Sequence, residues 1–198
     1  MRMPNTTTRR AVMGTALCLA ALPRRSFGAR LAATPACEDA HDTAADLTLA
    51  DVEGPYFKPG SPERADFLQP GFQGHVTTIE GWVYSSGCRP LPHVLLDLWH
   101  ADQNGLYDES GYQYRGHMFT DAAGRYRFRT IEPAVYPGRT RHFHLKLQAP
   151  GKPILTTQLF FPGEPRNRVD PIFRPELLMA VRDSTDLLST GFDFVLDA

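Results

Sequence analysis

Proline and glycine punctuate this chain at short intervals, seventeen of one and sixteen of the other, most of them from Gly54 onward. Each glycine inside a helix costs about 1 kcal/mol and each proline about 3 kcal/mol, so long helices are excluded there. What lies between the breakers has the period of strands. "HVTTIEGWVYS" (75–85) and "GRYRFRTI" (124–131) alternate, "PHVLLDLWHA" (92–101) reads as a buried strand, and "RHFHLKLQAP" (141–150), "ILTTQLFFPG" (154–163) and "TGFDFVLDA" (190–198) follow. Turn pairs such as Asn104-Gly105 and Ala123-Gly124 separate them, and "RPELLMAVRD" (174–183) is the one segment that reads as a short helix. The expected fold class is all-β: a β-sandwich of short, mostly antiparallel strands with at most one or two short helices.

The 198 residues, 42% hydrophobic and 22% charged, suit a single core. A formal net charge of -1 gives no basic excess for nucleic acid or an anionic membrane surface.

The first 33 residues read as an address. "TTTRRAVMGTALCLAAL" has the pair Arg9-Arg10 and then an apolar run from Ala11 to Leu22, followed by small residues suited to cleavage. The run is shorter than the roughly 20 residues a membrane span needs. This resembles a twin-arginine export signal, which implies a bacterial periplasmic protein carried across in its folded state, with its cofactor inserted beforehand. Residues 34–198 then form one domain that starts with an extended arm. Cys18 falls in the signal, leaving Cys37 and Cys88 either as one disulfide or as two free thiols; the sequence leaves both open.

Side chains two apart on a strand share a face. In "HFHLKL", His142 and His144 therefore point one way while Phe143, Leu145 and Leu147 point the other. The apolar set packs the sandwich, and imidazoles with Cβ atoms roughly 7 Å apart suit two ligands of one metal ion. A bare pair of this kind equally fits two hydrogen-bonded histidines on a half-exposed strand. Tyr136 lies on a proline-flanked turn six residues before His142, and Tyr107 follows a buried strand in "WHADQNGLYD". Phenolate and imidazole donors together favour a hard trivalent ion, Fe(III) above all.

"DLWHADQNGLYD", "YRGHMFTDAAGRYRFRTIEPAVYPGRTRHFHLKL" and "LTTQLFFPGE", in this order and preceded by "EGPYF" at 53–57, resemble the intradiol ring-cleavage dioxygenases, the group of the protocatechuate and catechol dioxygenases. The resemblance implies a non-haem Fe(III) held by Tyr107, Tyr136, His142 and His144. It casts Tyr107 as the ligand that departs when substrate chelates, sets Arg139 beside the bound ring, and puts Gln158 in the same pocket. Arg141 has no fixed role in the motif. The implied reaction cleaves a catechol-type ring between its two hydroxyl-bearing carbons with O2, giving a cis,cis-muconate-type diacid that carries both oxygen atoms. The partners implied are a small aromatic diol and O2, with a homo-oligomer left open. The chain departs from the family pattern at His93 and at Phe57, where a second tyrosine is frequent, and it has no long helical region ahead of "EGPYF", so the dimer mode of the catechol-cleaving enzymes is not expected.

Two other readings are kept open. One is a secreted β-sandwich that binds a ligand without catalysis. The other is a zinc hydrolase using His142 and His144, which needs a carboxylate partner, with Glu132 the nearest in sequence. The remaining histidines, His75, His93, His100 and His117, are expected to be structural or exposed, although His100 and His117 flank the Tyr107 loop.

Overall fold

The computed structural model describes residues 46–72, 74–184 and 187–198, together with Met1 and Cys37. The segment read as an export signal lies outside the described residues. Among the described residues no helix is long and apolar enough to cross a membrane.

Two sheets face each other. One contains β1 (Val76–Ser85), β4 (Arg125–Ile131), β7 (Ala180–Ser184), β8 (Leu187–Gly191) and β9 (Phe194–Leu196); the other contains β2 (Leu95–Trp99), β3 (Arg115–Phe119), β5 (His142–Gln148) and β6 (Leu155–Phe160). The first sheet runs β4-β1-β8-β7, with β9 also pairing with β1, and the second runs β3-β2-β5-β6. Pairing within the second sheet is antiparallel throughout. In the first sheet β1 is antiparallel to β4 and parallel to β8 and β9. The all-β sandwich expected from the breakers is the observed architecture.

The core lies between the sheets, where Leu96, Leu98, Phe143, Leu145, Leu147 and Leu159 from the second sheet meet Ile79, Val83, Phe128 and Phe194 from the first, all fully buried. The period-two reading of β5 therefore holds. Phe143, Leu145 and Leu147 fill the core and turn His142 and His144 to the other face of their sheet, yet both histidines are buried too. Their cover is the arm. Asp51 N–H donates to Thr156 O (2.9 Å), and Thr157 Oγ1 donates to Leu49 O (2.8 Å), laying the arm along β6. Farther on, Arg64 N–H donates to His117 O (2.9 Å) at β3, the opposite edge of the sheet.

The segment 174–183, read as a short helix, is instead a three-residue 3₁₀ turn, Pro175–Leu177, followed by β7. Pro175 at the first position starts the turn, and burial at Leu177 and Met179 has the period of a strand. Strand β3, an edge strand with the sequence RGHMF, carries no apolar alternation. A disulfide joins Cys37 to Cys88, which settles the two options left by the sequence.

Candidate metal centre

Three donors converge on the covered face of the second sheet. Nε2 of His142 lies 3.1 Å from Nε2 of His144, which lies 3.1 Å from the Tyr107 hydroxyl, and that hydroxyl lies 3.4 Å from His142 Nε2. The carbonyl of Thr140 can only accept, so its 2.6 Å bond to His142 Nδ1 puts the proton on that nitrogen and leaves Nε2 as a bare lone pair. Burial pushes the pKa of His142 down to about 4 and that of His144 well below the ordinary value, so both rings are neutral. Burial also pushes the Tyr107 hydroxyl upward.

This cluster fits a metal ion. Donors about 2.0–2.1 Å from one ion and at right angles to each other stand about 3 Å apart, which the three edges match. Two neutral imidazoles and a phenol are also the donor set that suits a hard trivalent ion once the phenol ionises.

Tyr107 is delivered by the loop after β2. The carboxylate of Asp108 accepts from the N–H groups of Gln113 (2.9 Å), Gly111 (2.7 Å) and Ser110 (3.0 Å), which hold its pKa down at about 2. Lys58 from the arm donates to the carbonyls of Glu109, Ser110 and Gly111 at 3.0–3.3 Å. Gly105 lets this loop touch the one bearing Tyr136: its φ is +79°, and a Cβ there would stand 2.6 Å from Val135 O.

Tyr136 sits edge-on to Tyr107, with ring centroids 5.9 Å apart, and its hydroxyl meets that of Tyr56 at 2.9 Å. Tyr56 in turn stacks on Tyr107 at 4.4 Å and 10°. Tyr56, within "EGPYF", has no role legible in the sequence, since no spacing rule gives a side chain on an arm a target. Trp99, on β2 directly across from His144, lies parallel to that imidazole at 4.9 Å and 6°. Gly54 closes the other side: its φ is +74°, and a Cβ there would come within 3.2 Å of His144 Cε1.

Arg139 and Gln158 lie side by side, with Arg139 Nη2 donating to Gln158 Oε1 (2.7 Å) and Gln158 Nε2 donating to Val52 O (2.8 Å). Arg139 Nε donates to Asp170 Oδ2 (2.9 Å), a carboxylate with no exposed side-chain surface. Burial alone would raise the pKa of Asp170, but hydrogen bonds from Thr140, Ile172 and Arg139 hold it below the ordinary value. Asp170 had no signal in the sequence, being in a loop far from the strand it serves. A buried cation, Arg115, donates to Tyr56 O (2.5 Å) and Asp108 O (3.1 Å), tying the arm to the Tyr107 loop.

Arg141 pairs with Glu132 and Glu164 over the ring of Phe161. Glu132, the carboxylate a zinc hydrolase would have needed, is thereby engaged elsewhere, and among the described residues no three His, Cys, Asp or Glu side chains group to hold a metal. His100 is buried in the core against Phe143, and His117 bonds Ser61 (3.1 Å); His75 and His93 are exposed.

A family model described as "Dioxygenase" matches residues 52–198. The chain is 31% identical over 153 residues to a hydroxyquinol 1,2-dioxygenase of Rhodococcus opacus, covering 65% of this chain and 51% of that protein. It is 29% identical over 159 residues to a catechol 1,2-dioxygenase of Acinetobacter baylyi, covering 64% and 51%. It thus spans about half the length of these relatives. Among solved structures it resembles the dioxygenase domain of a dioxygenase carbohydrate-binding protein fusion from the cellulolytic bacterium Streptomyces sp. SirexAA-E, at 53% identity and a TM-score of 0.75 over 77% of this chain and 99% of that one. It also resembles the 3-chlorocatechol 1,2-dioxygenase of Rhodococcus opacus 1CP, at 29% identity and a TM-score of 0.69 over 75% and 71%. With the matched span holding every donor of the cluster, the chain belongs to the intradiol ring-cleavage dioxygenase family.

Proposed function

We propose that this protein is a non-haem iron(III) dioxygenase that opens a catechol-type ring between its two hydroxyl-bearing carbons and places both atoms of O2 in a cis,cis-muconate-type diacid. The observation that carries this reading is the triangle of Tyr107, His142 and His144, with edges of 3.1, 3.1 and 3.4 Å and Tyr136 beside it. Those four residues would hold the ion. When bound, Fe(III) supplies Lewis acidity, favouring the catechol dianion and making its ring reactive toward O2.

The chain's own residues supply the rest. His142 and His144 are kept neutral by burial, so their lone pairs need not shed a proton before binding metal. Tyr107, half-buried and stacked on Tyr56, is the fixed phenol. We assign the exchangeable place to Tyr136, not to Tyr107 as the resemblance suggests, because the Tyr136 hydroxyl already has an alternative partner in Tyr56. The Tyr136 oxygen would be placed to take one substrate proton, with the Tyr56 hydroxyl as its hydrogen-bond partner. Arg139 is held in place by Asp170 and Gln158, and its planar guanidinium, with several donors, suits it to stabilise negative charge developing on a bound ring. Trp99, Phe57 and Tyr56 keep water from this face.

Arg9-Arg10 with the short apolar run supports export to the bacterial periplasm by the twin-arginine route, and a Cys37–Cys88 disulfide suits an oxidising compartment. Cell fractionation tests that destination.

The functional test is a visible spectrum with metal analysis, then oxygen uptake on catechol, protocatechuate and hydroxyquinol. Tyrosinate-to-iron charge transfer should colour the protein burgundy red, and at least one diol should consume O2. A colourless, zinc-loaded protein, or an iron-loaded one inert toward all three diols, overturns the proposal.

A further inference from the structure

Asp170 is the hub of the hydrogen bonds behind the centre. Its Oδ2 accepts from Arg139 Nε (2.9 Å) and from Thr140 N–H (2.7 Å), and its Oδ1 accepts from Ile172 N–H (2.9 Å). The carbonyl of the same Thr140 takes the proton of His142 Nδ1 at 2.6 Å. The Thr140 hydroxyl donates to Asn167 Oδ1 (2.6 Å), and the Asn167 amide donates to Phe161 O (2.8 Å), so the loop carrying Asp170 is fastened three residues ahead of it. We propose that Asp170 is a positioning residue: one carboxylate that fixes the plane of the Arg139 guanidinium and, through the backbone of Thr140, whose N–H it accepts and whose carbonyl holds His142, the orientation of the His142 imidazole. The inference rests on the functional reading above for the part these two side chains play.

Two anchors decide the orientation of Arg139. Asp170 holds Nε and Gln158 holds Nη2, which leaves Nη1 as the nitrogen that neither partner takes. A long side chain that would otherwise sample many rotamers is thereby set before substrate arrives. Three N–H donors converge on Asp170, so the group there must accept on every side, and only a carboxylate does. Asparagine has the same shape but, in either flip, turns its NH2 toward an N–H, at Arg139 and Thr140 or at Ile172.

The test compares wild type, Asp170→Asn, Arg139→Met and the double variant. In the iron-loaded enzymes Asp170→Asn should lower kcat on the order of 100-fold with KM changed far less. In the Arg139→Met background the same substitution should cost only a few-fold, because most of its effect passes through the arginine. Metal-free protein supplies an independent readout by ¹⁵N NMR: Arg139 Nε–H should exchange slowly in wild type and rapidly in Asp170→Asn. An equal loss of kcat in both backgrounds, or unchanged Nε–H protection in Asp170→Asn, overturns the inference. Should Asp170→Asn not fold, wild type alone decides. Arg139 Nε–H must exchange far more slowly than that of Arg127, whose side chain is 64% exposed and paired with Glu80, and equal rates overturn the inference. A protein that opens no catechol would sink the functional reading while the exchange measurements stand apart from it.

Discussion

The hydroxyl oxygens of Tyr56 and Tyr136 lie 2.9 Å apart, eighty residues distant in the chain, and join the arm to the loop that delivers a metal-ligand candidate. The bond raises the pKa of Tyr56, and burial adds to this, so Tyr56 remains a neutral phenol that can donate to a Tyr136 phenolate. Tyr56→Phe keeps the ring stacked on Tyr107 and removes only that bond. Its kcat on the preferred diol should fall roughly three- to tenfold, the worth of one net hydrogen bond, with iron content unchanged. Oxygen uptake and metal analysis check both halves; loss of iron would instead make Tyr56 a structural support.

How much of this centre the sequence exposes depends on the range of the interaction. His142 and His144 obey the period of their own strand, so the face they share, and the opposite face of Phe143 and Leu145, follow from spacing alone. Tyr107 and Tyr136 stand out as phenolate donors, but their place at the centre, like the roles of Arg139 and Gln158, comes from a family resemblance, since no local rule links a loop to a strand thirty-five residues away. Tyr56, Trp99 and Arg115 lie within the segments that carry the resemblance but gain no role from it, and Asp170 lies outside them. Their roles depend on the path of the arm and of the loop after β6, and a path is a property of the whole fold. The segment 174–183 shows the same limit at small scale: its residues tolerate a helix, and pairing of Ala180–Ser184 with β8 decides for a strand.

Gly54 has a left-handed φ of +74° and faces His144 Cε1 at 3.2 Å from where a Cβ would stand. Gly54→Ala therefore brings a backbone cost of about 1–2 kcal/mol together with a push on the imidazole. Iron per protein should drop, and the visible band should shift or weaken, while the fold persists by circular dichroism. Full iron content with an unshifted band would show that His144 has slack on this side.

Arg115 is 2% exposed and donates to two backbone carbonyls, those of Tyr56 and Asp108. Arg115→Met keeps much of the volume and leaves both carbonyls without that donor. Hydrogen bonds from a charged donor are worth more than neutral ones, so the cost should be about 2–3 kcal/mol. That lowers Tm by roughly 4–12 °C in a domain of this size. Thermal unfolding measures it, and a drop of less than about 2 °C would mean that the arm is held on the Tyr107 loop by other contacts.

His100 gives the fold a pH limit separate from the metal. Its Nδ1 donates to Ala101 O (2.7 Å) and its Nε2 accepts from Thr130 Oγ1 (2.7 Å), so the neutral ring is satisfied in the core, where burial pushes its pKa down to about 4. Well above pH 6.5 the ring is neutral whether the chain is folded or not, and pH has no leverage through it. Below that value the unfolded chain binds a proton that the folded one refuses, so stability falls as pH falls, until about pH 4, where the folded ring protonates as well. Between pH 7 and 4.5 the ring should therefore cost the wild type about 2–3 kcal/mol. His100→Gln cannot titrate and should be spared that part of the loss. Urea unfolding of both proteins across this range measures the difference. Parallel stability curves would place the pH sensitivity of the fold in other groups.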